Sequence, residues 1–222
     1  MDPLDHIVWS ALTTQHASFA LGGELAKRYP AEVALFAAVR EPSAAAWTAL
    51  SDLMSPGVPV ALFTAAEMYP PITVVERVHC VQMHALAPLP APNHPELTLR
   101  LGPDDVPEMH ALVELAQPGP FAPRTHEMGT YYGIRIAGQL VAMTDERMHL
   151  DGYTEVSAVC VHPDHLRKGY AAELVQLVAQ GIFARGETPM LHARSTNASA
   201  IALYAKLGFT LRRHTHFAML LA

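Results

Sequence analysis

The residues best suited to bind an anion form one segment, in which an apolar strand ends at a proline turn and leads through a basic loop into a helix. The segment reads Val159-Cys160-Val161-His162-Pro163-Asp164-His165-Leu166-Arg167-Lys168-Gly169-Tyr170-Ala171-Ala172. Backbone amides converge at such a helix start, where the helix dipole adds about half a positive charge. Arg167 and Lys168 add charge for phosphate groups, and Gly169 lets the chain approach a ligand closely. The pattern predicts a pyrophosphate site; an ordinary solvated helix start is the alternative.

Two motifs, in this order and spacing, resemble a known enzyme family. The run 155–171 looks like the acyl-CoA-binding motif of the GNAT N-acetyltransferase superfamily, in its glycine N-acyltransferase-like branch. The run 191–209 is similar to the second motif of that family. The resemblance covers about residues 97–222, and the preceding half more loosely. It implies an α/β (α+β) GNAT-like fold, with a mixed, mostly antiparallel sheet flanked by helices, and direct transfer of an acyl group from acetyl-CoA (coenzyme A) to an amine.

The resemblance also implies which residues contact acetyl-CoA. They lie on the strand, in the basic loop and on the two following helices: Val159, Cys160, Val161, Leu166, Arg167, Lys168, Gly169, Tyr170, Ala171, Ala172, Asn197 and Tyr204. The loop departs from the family pattern, because Leu166 takes the usual Gln/Arg position and Arg167 stands where a glycine is common. Backbone amide donation does not depend on either side chain. Asn197 has an alternative role as the N-cap of the last helix.

Two residues are candidates for proton transfer. Glu155 lies 14 residues before Gly169, where some family members place a catalytic glutamate, and would be the general base for an amine that is mostly protonated at pH 7. Tyr204 corresponds to the general acid for the leaving sulfur. Each has a structural alternative, Glu155 as a strand-end carboxylate paired to a surface base and Tyr204 as a core residue on the buried face of the last helix. A backbone amide in 159–161, where neighbouring strands splay, is expected to polarise the thioester carbonyl.

The loop 117–130 is long enough to suggest a function beyond connection. Its candidate acceptor contacts are Phe121, Arg124 and Thr125. The alternative is that these three residues only hold the loop in place.

Other reactive side chains favour structural roles. Thirteen histidines include no paired ligand set at a recognised spacing, so no metal site is predicted. Cys80 and Cys160 lie in apolar, strand-like segments, where a free thiol packs as a small hydrophobe. A disulfide or a cysteine nucleophile is therefore not expected.

A proline-rich segment, 88–96, is the predicted linker between two domains. Residues 1–87 are expected to form a smaller α/β domain without a recognisable site, which in such proteins is often a degenerate copy of the same fold. We expect helices over 7–26 and 44–54 and strands over 33–39, 58–63 and 74–86. Residues 97–222, the GNAT acetyltransferase domain, are expected to run strand, helix, three strands, helix, strand, helix, strand.

Charge and hydropathy exclude several partner classes. The net charge of −6 and the isoelectric point near 6.1 argue against nucleic-acid or anionic-membrane partners, which require a concentrated basic face. No apolar run approaches the roughly 20 residues needed to span a bilayer, and the first residues do not resemble a signal peptide. The sequence thus predicts a cytoplasmic N-acetyltransferase that acts on a small-molecule amine. A catalytically weak CoA-binding regulatory or interaction module is the alternative, and either a monomer or a homodimer is compatible with the sequence.

Overall fold

In the computed structural model, which describes residues 2–222, eleven strands form one continuous mixed sheet. The strands are β1 (Leu21–Gly22), β2 (Ala26–Arg28), β3 (Phe36–Val39), β4 (Val60–Thr64), β5 (Thr73–His84), β6 (Thr98–Leu101), β7 (Tyr131–Ile136), β8 (Gln139–Leu150), β9 (Tyr153–Val161), β10 (Thr188–Arg194) and β11 (Thr210–Leu221). The helices are α1 (Ile7–Thr13), α2 (Ala44–Leu53), α3 (Val106–Ala116), α4 (Tyr170–Ala184) and α5 (Ala198–Leu207).

The strand order across the sheet is β1-β2-β3-β4-β11-β5-β10-β9-β8-β7-β6. Neighbouring strands are antiparallel except for the pairs β3–β4 and β9–β10. A large, mostly antiparallel sheet flanked by helices confirms the predicted fold class. The predicted order of elements after residue 97 is also confirmed, with boundaries shifted by a few residues.

The two halves of the chain are interleaved in this sheet. Strand β5, from the first half, lies between β11 and β10 and pairs antiparallel with both. The chain must then cross five strand spacings, about 24 Å, to begin β6 at the sheet edge. The segment 85–94, before a short 3-10 turn at Pro95–Leu97, can span roughly 31 Å at ~3.1 Å per residue, and Glu173 of α4 accepts the backbone N–H groups of Asn93 (3.1 Å) and His94 (2.8 Å). The domain boundary at 88–96 stays a prediction.

The helix expected over 7–26 is correct only as far as Thr13, and the prediction is wrong for residues 14–26. Helix α1 ends at Thr13, and the chain returns through the hairpin β1–β2. The hydroxyls of Thr13 and Thr14 donate to carbonyl oxygens of the preceding turn, at 2.8 and 2.7 Å, and compete with continued helix hydrogen bonding. Gly22 then takes the left-handed φ of 108° that the hairpin requires.

Helices cover both faces of the sheet. Helices α4 and α5 pack on one face, in a cluster that includes Val156 of β9 and Leu191 of β10. Helix α1 packs on the opposite face, against Met190 of β10 among others, and α3 packs there against β7, β8 and β9. Because side chains alternate along a strand, Glu155 and His192 belong to the face that α1 and α3 cover. Within residues 2–222, no helix combines the length and apolar character needed to cross a membrane.

Candidate functional site

The basic loop after β9 keeps the start of α4 open. Arg167 and Gly169 have left-handed φ values of 61° and 87°, and Gly169 is the N-cap of α4. Since this N-cap has no side chain, the first amides of α4 receive no side-chain cap within the described residues. A Cβ placed on Gly169 meets no atom within 4 Å, so the space above the loop is free. These features fit a phosphate group at the helix N-terminus.

Strands β9 and β10 separate soon after they begin. Their parallel pairing covers Tyr153–Glu155 and Thr188–Met190 only; beyond it β9 pairs with β8, and β10 pairs with β5. The predicted splay of neighbouring strands is therefore present. The pairing of β8 with β9 also shifts register at Ala158, which has a φ of 45°. This β-bulge lies beside the gap, and a bulge of this kind often re-aims strand groups near a functional site.

Glu155 is buried in a hydrogen-bonded ion pair. Arg147 donates to its two carboxylate oxygens from Nε at 2.8 Å and Nη2 at 2.7 Å, and His192 donates from Nδ1 at 2.8 Å. Burial acts to raise the pKa of Glu155, but Arg147 and His192 outweigh it and hold this pKa at about 2. Glu155 is thus an ionised carboxylate with both oxygens occupied. Its role as general base stays a prediction, and its ion-pair partner Arg147 is mostly buried instead of lying at the surface.

The ion pair belongs to a longer hydrogen-bonded chain across five neighbouring strands. Gln82 of β5 donates from its side-chain nitrogen to Nε2 of His192, at 3.0 Å, and to the carbonyl oxygen of Leu4. Its side-chain oxygen accepts from Arg212 of β11 at 2.7 Å. This arrangement assigns the hydrogen of a neutral His192 to Nδ1, the atom that faces Glu155. These hydrogen bonds therefore fix the orientations of Arg147, Glu155, His192 and Gln82.

Two adjoining cavities lie on this face, beneath the tip of the 117–130 loop. The larger, of about 140 Å³, is lined by Arg147, His192 and Arg194 among others. The smaller, of about 30 Å³, is lined by Asp145, Arg147 and the bulge residues Ser157 and Ala158. Both share the roof segment 118–120. We call the two cavities together the roofed cleft.

The loop is anchored to the first half of the chain. Thr125 is buried and donates from its hydroxyl to the carbonyl oxygen of Val33 at 2.6 Å. Arg124 forms ion pairs with Glu32 at 3.1 Å and with Glu127 at 2.7 Å. Phe121 and Thr125 border the smaller cavity, whereas Arg124 is not among its lining residues. The roles of these three residues as acceptor contacts stay predictions.

The second motif supplies Asn197 and Tyr204 from α5. Asn197 is the N-cap of that helix, since its Oδ1 accepts the backbone N–H of Ala200 at 3.1 Å. Tyr204 is buried with its ring edge-on to Phe209, at 6.2 Å between centroids. Burial raises the pKa of Tyr204 to about 12, so its hydroxyl keeps its proton at neutral pH. Contact of either residue with the donor stays a prediction.

Both cysteines are free, buried thiols. Burial raises the pKa of Cys160 to about 12 and that of Cys80 to about 11. Neither is therefore a reactive thiolate at neutral pH. In the part of the chain that the structure describes, no group of three or more His, Cys, Asp or Glu side chains is arranged to hold a metal ion.

The sequence reasoning missed several residues of the site. Asp145, Arg147, Gln82 and His192 were not selected, although they build the roofed cleft and its hydrogen-bonded chain. A signal was present in the run 144–147, Thr-Asp-Glu-Arg, since four consecutive polar residues in a central strand require buried partners. The β-bulge at Ala158 could not be predicted from the sequence, because the position is not a glycine, the residue that commonly indicates a left-handed φ.

Similarity to known proteins identifies the family. A family model described as FR47-like protein matches residues 131–218. Over its whole length the chain is similar to the crystal structure of a GNAT-family protein from Novosphingobium aromaticivorans DSM 12444. The identity is 36% and the TM-score is 0.92, with 100% of this chain and 99% of that chain covered. This chain belongs to the GNAT acetyltransferase family. It is therefore an acyltransferase enzyme.

Two further proteins show more distant similarity. The ribosomal protein bS18 alanine N-acetyltransferase of Escherichia coli K12 is 29% identical over 119 residues, which are 50% of this chain and 80% of that protein. A GCN5-related N-acetyltransferase from Kribbella flavida shares the fold, with a TM-score of 0.60, 19% identity and coverage of 94% and 95% of the two chains. The glycine N-acyltransferase-like branch of the GNAT family stays a prediction.

Proposed function

We propose that this GNAT enzyme transfers the acetyl group of acetyl-CoA directly to the amine of a small molecule bound in the roofed cleft. The observation that carries the proposal is the gap between β9 and β10, which opens after Glu155 and Met190. Residues on both sides of this gap line the roofed cleft, and β9 continues directly into the basic loop. A donor anchored at the loop and extended along β9 would bring its thioester to the cleft.

The donor would be held mainly by backbone groups. The first amides of α4 would receive the pyrophosphate, with Arg167 and Lys168 adding charge. The segment 159–161 would pair with the pantetheine arm in the manner of an added strand. Acetyl-CoA supplies a thioester whose carbonyl carbon accepts the lone pair of the amine. A backbone amide beside the bulge would polarise that carbonyl.

The two candidate catalytic residues would contribute in different ways. Tyr204, protonated at neutral pH, would donate a proton or hydrogen bond to the leaving sulfur. Glu155 already accepts three hydrogen bonds and would act through its partners, because Arg147 and His192 both line the larger cavity. In this proposal Glu155 positions those two side chains at the cleft.

The N-terminal amine of a protein is the second candidate for the acceptor. It is favoured by the similarity to the Escherichia coli enzyme, whose name gives the alanine of ribosomal protein bS18 as its substrate. Both acceptors present a primary amine to the same cleft. The cytoplasmic location, the lack of nucleic-acid or membrane partners and the choice between monomer and homodimer stay predictions.

Thiol release tests the function. We expect the purified chain, given acetyl-CoA and a panel of alkylamines, amino acids, polyamines and a peptide that begins with alanine, to release free thiol with at least one acceptor. Mass spectrometry should then show that acceptor acetylated. If acetyl-CoA raises the melting temperature but no acceptor gives thiol release, the chain is instead a CoA-binding module. If acetyl-CoA does not change the melting temperature, the proposed binding site for acetyl-CoA is also contradicted.

Gly169→Ala tests the phosphate loop. The left-handed φ of 87° opposes any side chain, and the new methyl group enters the free space above the loop. We expect the Kd for acetyl-CoA, measured by isothermal titration calorimetry, to rise about tenfold, or ~1.4 kcal/mol.

Gly186→Ala is the matched control for this variant. Gly186 has a φ of 78°, its added Cβ also meets no atom within 4 Å, and it lies just beyond the opposite end of α4. We expect both variants to lower the melting temperature by a similar amount, because each places a side chain at a left-handed φ. Gly186→Ala should leave the affinity for acetyl-CoA unchanged. Equal affinities of the two variants would exclude a close approach of the donor to Gly169.

A further inference from the structure

Asp145 is a buried carboxylate that forms no ion pair within the described residues, although Arg147 and the Tyr131 hydroxyl lie close enough to lower its pKa. It is 1% exposed, and neither of its side-chain oxygens has a hydrogen-bond partner within residues 2–222. Arg147, two residues along β8, directs its donors to Glu155, and the Tyr131 hydroxyl donates to the carbonyl oxygen of Thr125 at 3.4 Å. An unpartnered buried carboxylate is costly to keep. Such groups are therefore candidates for a functional role.

The smaller cavity lies directly against this carboxylate. It has a volume of about 30 Å³ and is bordered by Asp145, by the bulge residues Ser157 and Ala158, and by the roof segment 118–121. About 10–15 Å³ of such space is enough for one water molecule, and an ammonium group is of similar size. The cavity also adjoins the larger one through Arg147, which lines both. A narrow chain ending in –NH3⁺ fits this shape.

The charged side chains that line the roofed cleft favour a cationic ligand. Arg147 is compensated by Glu155 at 2.7 Å, and Arg194 faces Glu76 at 3.7 Å. Asp145 is then the remaining uncompensated acidic group among the charged side chains that line the two cavities. An acceptor that arrives with a positive charge would supply the missing counterion.

We propose that Asp145 binds the ammonium group of the acceptor and takes a proton from it. The inference rests on the proposed function, and it names the acceptor class as a protonated primary amine on a narrow chain. The acceptor R–NH3⁺ passes one proton to the Asp145 carboxylate and becomes R–NH2. Its nitrogen then forms the bond to the thioester carbonyl carbon while the C–S bond breaks. The nitrogen loses a second proton and the leaving sulfur gains one, so that CoA leaves as a thiol with no net change in protons, and Asp145 returns the first proton to solvent.

The surroundings of Asp145 suit proton exchange near neutral pH. The titratable and charged groups that face it come from β7, β8 and β9: Tyr131, Glu146, Arg147, Glu155 and Cys160. Burial, the dominant influence, raises the pKa of Asp145 to about 7, while Tyr131 and Arg147 partly oppose this rise. A base whose pKa lies near the working pH is present to a substantial extent in its unprotonated form and still binds a proton strongly enough to remove it from the amine.

Asp145→Asn is the decisive variant, because it keeps the shape and removes the charge. In thiol-release assays with acetyl-CoA and the best alkylamine of the panel, we expect kcat/KM to fall by about 10²–10⁴-fold. The limb of the pH profile near pH 7 should disappear, while the rise in melting temperature caused by acetyl-CoA should persist. Asp151→Asn, in the turn between β8 and β9, is the matched control and should behave as wild type.

The outcomes separate the two proposals. An active wild type together with an equally active Asp145→Asn variant and an unchanged pH profile overturns the role of Asp145 and leaves the acetyltransferase function intact. A wild type that releases no thiol with any amine overturns both. If Asp145→Asn does not fold, the wild-type profile of kcat/KM still decides, since a profile without an ionisation near pH 7 contradicts the role of Asp145.

Discussion

Glu155→Gln is expected to lower the free energy of unfolding by about 3–5 kcal/mol, because it leaves the mostly buried Arg147 without its counterion. The variant also weakens the hydrogen bond to His192, which Glu155 accepts at 2.8 Å. Removal of one member of a buried pair costs more than the pair contributes, since the remaining charge stays out of water. Urea unfolding at pH 7, followed by far-UV circular dichroism, measures this difference.

Two further variants give this prediction its controls. Glu67→Gln breaks the more exposed pair with Arg77, at 3.5 Å, and should cost under about 1 kcal/mol. The double variant Arg147→Met with Glu155→Leu removes both charges and should recover much of the lost stability. If Glu155→Gln loses no more stability than Glu67→Gln, the buried pair does not hold this part of the sheet together.

The stabilisation by Glu155 should also depend on pH. Its pKa in the folded chain, about 2, lies below the ordinary value of 4.5. The contribution of Glu155 is therefore complete above about pH 4.5 and is lost as the pH falls from there towards 2. Over that window the stability difference between wild type and Glu155→Gln should shrink. A difference that stays constant down to pH 2 would contradict the ionised pair.

Tyr204→Phe is expected to lower kcat by about 10²-fold or more and to leave the Kd for acetyl-CoA nearly unchanged. The ring of Tyr204 supplies the packing against Phe209, and phenylalanine keeps that contact. Only the hydroxyl, which burial keeps protonated, is lost. Steady-state kinetics by thiol release and calorimetric titration with acetyl-CoA measure the two quantities separately.

Tyr29→Phe is the control, and we expect it to change stability but not kcat. Its hydroxyl is buried and hydrogen-bonded to Nδ1 of His16, at 2.9 Å, in the core beneath α1. This variant should lower stability by roughly 1 kcal/mol without changing kcat. A Tyr204→Phe enzyme with wild-type kcat would show that Tyr204 serves only the core.

Some parts of the candidate site follow from local sequence. The path from β9 through the basic loop to α4 was predictable, because a strand period, a proline turn and a helix period succeed one another without a break. The cap of α5 was also readable, since Asn197 needs only the next three residues to satisfy its side chain. The start of the chain shows the opposite case, because its apolar periodicity continues past Thr13 while the threonine hydroxyls compete for the carbonyl groups of the last helical turn.

The sequence by itself determined the family, the path from β9 through the basic loop to α4 and the order of elements after residue 97, because these depend on residues that are close along the chain. Only the tertiary structure placed β5 between β10 and β11, and Gln82 with it beside His192. It also decided that Glu155 pairs with Arg147 while Asp145 borders the smaller cavity. The reason is strand register: β8 and β9 shift against each other twice, once at Ala158 beside Asp145 and once between Glu146 and His149 beside Glu155, and a shift of one residue changes which side chains share a face.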